Sequence, residues 1–193
     1  MTIIRFRNWG LVAVSAALLA SCATPPPKVA APAPAAMPQK LPYRWTQGNA
    51  PRAHQESLAL WGPVAMKPGD FHWASSIPNE GDAKVVIDLL TQRFYVYRGE
   101  QLVGMSTISS GKKGKETPLG FWKVFRKQVK GFSRKYDNAP MPYMQMYDEK
   151  GIAFHGGKLP GYPASHGCVR LPIRFAEKLY GLTRIGTQVI IEG

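Results

Sequence analysis

Cysteine is nearly missing from this chain: its 193 residues contain two, Cys22 and Cys168. A scaffold stapled by several disulfides is therefore excluded. A thiolate-rich zinc centre is excluded as well, because the four histidines and two cysteines match no standard zinc spacing. No metal site and no cofactor are expected. Acidic side chains are also scarce, 12 against 25 lysines and arginines, which gives a formal charge of +13. The apolar run Leu11 to Leu19 is too short to cross a bilayer. No internal repeat is present, and the length leaves no room for a second folded module beside one domain.

What is present at the N-terminus sets the compartment. Arg5 and Arg7 precede the apolar run, which ends in Leu19-Ala20-Ser21-Cys22. A positive start, a short apolar stretch and small residues before the cysteine read as a signal peptide over residues 1–21. The last four positions resemble the lipobox of bacterial lipoproteins. In that family the cysteine thiol takes diacylglycerol, the chain is cut before it, and the new N-terminus is acylated. The resemblance implies lipidation of Cys22 and an envelope location facing the periplasm. Ala23 stands where inner-membrane retention commonly uses Asp, which favours the inner leaflet of the outer membrane. Several acyl chains anchor stably where one binds only marginally. A lipidated Cys22 also leaves Cys168 without a disulfide partner. The alternative is an ordinary signal peptide with Cys22 merely nearby.

Residues 22–42 are dominated by Pro and Ala, including Pro25-Pro26-Pro27. Such a segment cannot bury enough apolar surface to offset ordering, and it reads as an extended tether. Residues 43–82 hold Trp45, Trp61 and Trp73 without sustained periodicity, and are expected to form an irregular N-terminal arm on the domain. From residue 83 to 193 the pattern is mainly β. Lys84 to Leu90, Gln92 to Arg98 and Gln101 to Ser109 read as strands, the last two joined as a hairpin through Gly99-Glu100. Phe121 to Val129, Met144 to Tyr147, Gly151 to His155 and Thr187 to Ile191 are further strands. One clear helix is expected near the C-terminus. Pro172 starts it, Phe175, Ala176, Leu179 and Tyr180 share a stripe, and Gly181 is its stop. The fold class is a β-sandwich or partial barrel.

The chemistry rests on Cys168 and two histidines. Cys168 lies in Ala164-Ser165-His166-Gly167-Cys168-Val169-Arg170, with His155-Gly156-Gly157 thirteen positions upstream. An unpaired thiol in an exported chain needs a reason, and a nucleophile between two imidazoles supplies one. Free cysteine is mostly protonated at neutral pH, so a neighbouring imidazole or positive field is expected to lower its pKa. His166 stands two residues from Cys168 and His155 ends a predicted strand; spacing alone leaves the base open between them. Gly167 leaves room for a substrate carbonyl, and backbone N–H groups there can receive an oxyanion. Arg170 offers a fork suited to a carboxylate. Tyr143, between Met141-Pro142 and Met144, reads as core or cleft wall. His54 and His72 receive no role. The lysines at 112, 113 and 115 and the basic run Arg126, Lys127, Lys130, Arg134, Lys135 read as solvated faces.

His155, Ser165-His166-Gly167-Cys168 and Arg170 resemble the signature of the L,D-transpeptidase catalytic domain (YkuD-type), in which an upstream histidine precedes [Ser/Thr]-His-Gly-Cys. The resemblance spans roughly Lys84 to Gly193. Ser109-Ser110-Gly111, Thr117-Pro118-Leu119-Gly120 and Ile152-Ala153-Phe154-His155 fall in the family's order. It implies a β-sandwich-like fold with one helix, Cys168 as nucleophile, His155 as base, and the Gly156 carbonyl orienting that base. Ser165, His166 and Gly167 would shape the pocket and oxyanion site, and Arg170 would meet a substrate carboxylate or hold the loop. Two departures stand out. The His155-to-Cys168 interval is shorter than in many members, so residues 158–163 are expected to be compact, and Arg170 stands where Asn is also common.

The family implies a peptidoglycan stem peptide as partner, cleaved between diaminopimelate and D-Ala and passed to an amine. The sequence leaves the acceptor open among a second stem, a D-amino acid, a protein lysine and water, the last making a carboxypeptidase. A non-catalytic wall-binding lipoprotein is the alternative of another class. Without Arg5 and Arg7 the chain holds 23 basic and 12 acidic side chains, a formal +11. Such a charge attracts polyanions. Stem carboxylates and anionic lipid fit a lipid-anchored chain, and nucleic acid does not. Oligomeric state is not legible.

Overall fold

Alternation and β-branching account for most of the strands. The computed structural model describes residues 42–193. The expected signal peptide, Cys22 and nearly all of the tether lie outside the described residues. In chain order the elements are α1 (Asn49–Trp61), β1 (Phe71–Trp73), β2 (Ala83–Asp88), β3 (Arg93–Arg98), β4 (Gln101–Thr107), β5 (Gly120–Lys123) and β6 (Arg126–Phe132). They continue with β7 (Pro140–Asp148), β8 (Ile152–Gly156), β9 (Val169–Leu171), α2 (Ile173–Leu182) and β10 (Gln188–Glu192). Two sheets result, a six-stranded one in the order β1-β4-β3-β2-β10-β5 and a four-stranded one in the order β6-β7-β8-β9. The mainly β class with one helix near the C-terminus is what the molecule has.

The main core lies between the two sheets and α2. Val85, Ile87, Phe94, Val96 and Val189 of the larger sheet face Phe154, Val169 and Leu171 of the smaller one. Phe175 of α2 is fully buried, with ring centroids 5.6 Å from Phe71, 5.3 Å from Trp73 and 5.8 Å from Phe94. The opposite face of the larger sheet carries Val86, Tyr95, Tyr97 and Ile190, packed against Ala50 and Ala53 of α1. Both faces of β2 are thus covered, which is why Val85, Val86 and Ile87 form an unbroken apolar run rather than an alternation.

The arm is not irregular. It supplies α1, and β1 pairs with β4 in antiparallel register, Phe71 opposite Ser106. Sequence periodicity misses α1 because its buried stripe is Ala50, Ala53 and Ser57, too small and too weakly apolar to stand out. Pro51 sits in the first turn, where a missing N–H costs nothing. Capping comes from far along the chain. The fully buried Glu192 carboxylate accepts the backbone N–H groups of Gln47 (2.9 Å), Asn49 (3.2 Å) and Ala50 (2.8 Å), and also Thr46 Oγ1 (2.7 Å) and Asn49 Nδ2 (3.0 Å). Burial pushes its pKa up, but these donors outweigh burial and hold it below 4.5.

Three boundaries differ from expectation. Phe121 to Val129 is two strands, not one. Val124 N–H still donates to Thr187 O at the larger sheet, whereas Phe125 N–H donates to Met146 O in the smaller one. The chain changes sheets between these neighbours. Strand β7 starts at Pro140, ahead of the expected Met144, and keeps both Pro140 and Pro142. Its pairing with β8 begins only at Gln145, so the prolines lie where β7 has one partner. Helix α2 runs past Gly181 to Leu182. Thr183 Oγ1 and Lys127 Nζ occupy its last carbonyls, at 2.8 Å from Leu179 O and 2.7 Å from Tyr180 O, so no left-handed glycine is needed.

Candidate active site

Parallel pairing of β8 with β9 brings the two halves of the signature together. Phe154 lies opposite Val169 and His155 opposite Arg170. Cys168, one residue before β9, is half-buried and packs against the cluster of Met141, Met144 and Ala153. Burial pushes its thiol above 9.0, and the Ala153 N–H and the Arg170 charge only partly offset that. The expected lowering of the thiol pKa is therefore not met in the free site, because apolar neighbours outweigh the positive field.

His155 is buried on β8. Its Nδ1 lies 2.9 Å from the Gly156 carbonyl oxygen. A carbonyl only accepts, so Nδ1 carries the proton and Nε2 is left with a free lone pair. Burial, with Arg170 adding to it, lowers the imidazole pKa despite the Gly156 bond. The ring is neutral at neutral pH and able to take a proton. His166 differs. It is exposed and stacks on Tyr136, with ring centroids 4.5 Å apart. Slight burial, then Lys112, Lys115 and Arg170, disfavours its protonated form. Of the two histidines only His155 has a fixed tautomer.

Ser165 and Gly167 act on the loop that presents the thiol. Ser165 Oγ donates to the Cys168 carbonyl and accepts Gly167 N–H at 3.1 Å. Thr117 Oγ1 donates to Gly167 O at 2.8 Å. Gly167 has φ 120°, a conformation that side chains disfavour. The Gly167 N–H, held by Ser165 Oγ, is not free for an oxyanion. Among the described residues the Cys168 N–H has no protein acceptor. The segment 109–111 braces the same loop. Ser110 O accepts the N–H groups of Ala164 and Ser165, each at 3.0 Å, and Ser109 Oγ donates to Tyr162 O at 2.7 Å. At Gly111 a Cβ would collide with the Lys115 carbonyl, so the close approach requires glycine.

These elements surround a cleft of about 1060 Å³ lined by Cys168, His155, His166, Ser165 and Arg170. Tyr143 is not on it. Its φ of 56° breaks the alternation of β7, so Met141 and Met144 turn to the cleft. Tyr143 instead packs beside α2, donating to Glu177 Oε1 at 3.0 Å and lying 6.0 Å from the Tyr180 ring. Sequence reasoning missed Tyr136, Gln128 and the three methionines of the cleft, and took its basic residues for solvent-facing ones. The Arg and Lys spacing along β6 was the available signal. Among the described residues no group of three or more His, Cys, Asp or Glu side chains is placed to hold a metal.

The family model for the L,D-transpeptidase catalytic domain matches residues 82–191. Solved structures are similar as well. An L,D-transpeptidase from Stackebrandtia nassauensis is 29% identical with a TM-score of 0.52, over 61% of this chain and 58% of that one. One from Mycobacterium tuberculosis H37Rv is 21% identical with a TM-score of 0.54, over 57% of each chain. L,D-transpeptidase 3 from Mycobacterium tuberculosis, solved with a faropenem-derived adduct, is 21% identical with a TM-score of 0.52, over 56% of this chain and 59% of that one. The chain thus spans less than two thirds of the length of these relatives. No curated protein matches it.

Proposed function

The chain belongs to the L,D-transpeptidase catalytic domain family, and from that premise we propose that it is a peptidoglycan L,D-transpeptidase working through Cys168. The thiol attacks the carbonyl that joins the L-centre of diaminopimelate to the terminal D-Ala of a tetrapeptide stem. His155 Nε2 takes the thiol proton as the C–S bond forms and returns it to the departing D-Ala nitrogen. The Cys168 N–H is the donor left to meet the oxyanion, and Arg170 the fork for a stem carboxylate. An amine then attacks the thioester, loses its proton to His155, and frees the thiol. With water as acceptor the same steps give a carboxypeptidase.

The observation that carries this reading is the buried His155 ring, tied through Nδ1 to the Gly156 carbonyl at 2.9 Å and lining one cleft with the thiol. A pure wall-binding module has no need of that pair. The test is incubation with purified disaccharide-tetrapeptide and a mass measurement of the products. A 3,3-linked dimer, D-amino-acid exchange or tripeptide distinguishes the acceptors, and an intact tetrapeptide after long incubation refutes the enzyme reading. The anchor is part of the proposal. Cys22 is the lipidated residue, and the domain works from the periplasmic side of the envelope, with the outer membrane favoured. Labelling with a fatty-acid analogue should mark the wild type and not Cys22→Ala.

A further inference from the structure

Eight cationic side chains line the cleft against two carboxylates, Glu116 and Glu149. The hairpin of β6 and β7 contributes much of this charge, and strand geometry explains how. Alternate residues of β6, Arg126, Gln128 and Lys130, turn to the cleft. Lys127, of opposite parity, turns to the end of α2 instead. The connecting loop adds Arg134 and Lys135. Lys115 and Arg170 stand on the cleft as well. Among the described residues the two ion pairs are Arg52 with Glu56 and Arg184 with Asp82, so no cleft cation is neutralised by a protein carboxylate. Glu116 already accepts the Gly114 N–H at 2.7 Å. A single exposed charge contributes little, but many of one sign along a cleft raise the local concentration of an anionic ligand.

We propose that this cleft selects its acyl donor by charge, taking stem peptides with free carboxyl groups over the same stems in amidated form. The inference rests on the peptidoglycan reading above. Amidation keeps the planar shape but removes the negative charge and turns one acceptor oxygen into an N–H donor, so the salt dependence of the preference isolates what the cations recognise.

The test uses the full chain and two disaccharide-tetrapeptides. One has free carboxyl groups, and the other is amidated at the D-glutamyl α-carboxyl and the side-chain carboxyl of diaminopimelate. The expected ratio of kcat/KM is about tenfold in favour of the free stem, the size that a few screened contacts produce. It should shrink as salt rises from about 0.05 to about 0.5 M, where the Debye length falls well below the cleft's dimensions. Neutralising the exposed loop pair in Arg134→Gln/Lys135→Gln should lower the ratio by about threefold, chiefly through KM for the free stem. Equal kcat/KM for the two stems, or a ratio unmoved by salt and by the variant, overturns charge selection and leaves the transpeptidase standing. Turnover of neither stem overturns the reading beneath it.

Discussion

Replacing His155 by alanine tests how the thiol is activated. In the free site Cys168 titrates above 9.0, the burial of its sulfur outweighing Arg170. At pH 7 an ordinary thiol is only a few per cent thiolate, and burial leaves this one with less. An enzyme stripped of its base must react through that fraction. His155→Ala should therefore fall to roughly a hundredth of the wild-type rate or lower at pH 7, within the 10²- to 10⁴-fold span of general-base catalysis. The deficit should close by about tenfold per pH unit as solvent hydroxide forms the thiolate. Initial rates of D-Ala release at pH 6 to 10, with near-ultraviolet dichroism to check the fold, give the profile. The wild type should lose activity at acid pH, below the ordinary histidine range, because burial lowers the His155 pKa. A variant that keeps its pH 7 rate, or stays flat up to pH 10, would refute the reasoning and point to a preformed thiolate or to His166.

Cys168→Ser should lose turnover while keeping the fold, since a site built around a thiol does not ionise a hydroxyl. A carbapenem-type β-lactam should add once to the wild type, on the peptide holding Cys168, and not to Cys168→Ser; intact-mass spectra decide. Glu192→Gln should lower stability by about 2–3 kcal/mol in urea melts at neutral pH, through weakened donors at a buried carboxylate. Because the folded pKa of Glu192 is depressed, its contribution is complete above about 4.5 and is lost as pH falls through the lower folded value, so wild type and variant should converge in acid. Phe175→Ala should cost about 3–5 kcal/mol, since the ring contacts Phe71, Trp73 and Phe94 in a core without slack.

Strands β2, β3, β4 and β10 were legible because apolar and aromatic runs bounded by turn residues, such as Gly99-Glu100 between β3 and β4, leave few alternatives. Cys168 and His155 were legible because a lone thiol flanked by His-Gly pairs is hard to explain as packing. Helix α1 was not, since its N-terminus is completed by Glu192, some 140 positions away, and no local pattern records that bond. The choice between histidines was closed to sequence for the same reason. His155 and His166 have similar neighbours, and only the pairing of β8 with β9 buries one and leaves the other against Tyr136. Tyr143 was misassigned because its positive φ reverses which residues of β7 meet the cleft. The basic run was discounted because a period-two stripe of three or four positions is short, and charge alone more often marks a solvated surface.

The position of β10 has a consequence for how the molecule is made. This strand lies between β2 and β5 in the larger sheet, and its pairing with β2 is parallel, Val189 beside Val85 and Ile191 beside Ile87. The central seam therefore joins segments about a hundred residues apart. A chain that is synthesised in N- to C-terminal order can form the β2–β3–β4 meander early. It cannot close that seam, or bring Glu192 to cap α1, until residues 188–192 have been made. Until then β2 and β5 present open edges able to pair with other chains. The interval between synthesis of β5 and synthesis of β10 is when this chain is most exposed to aggregation.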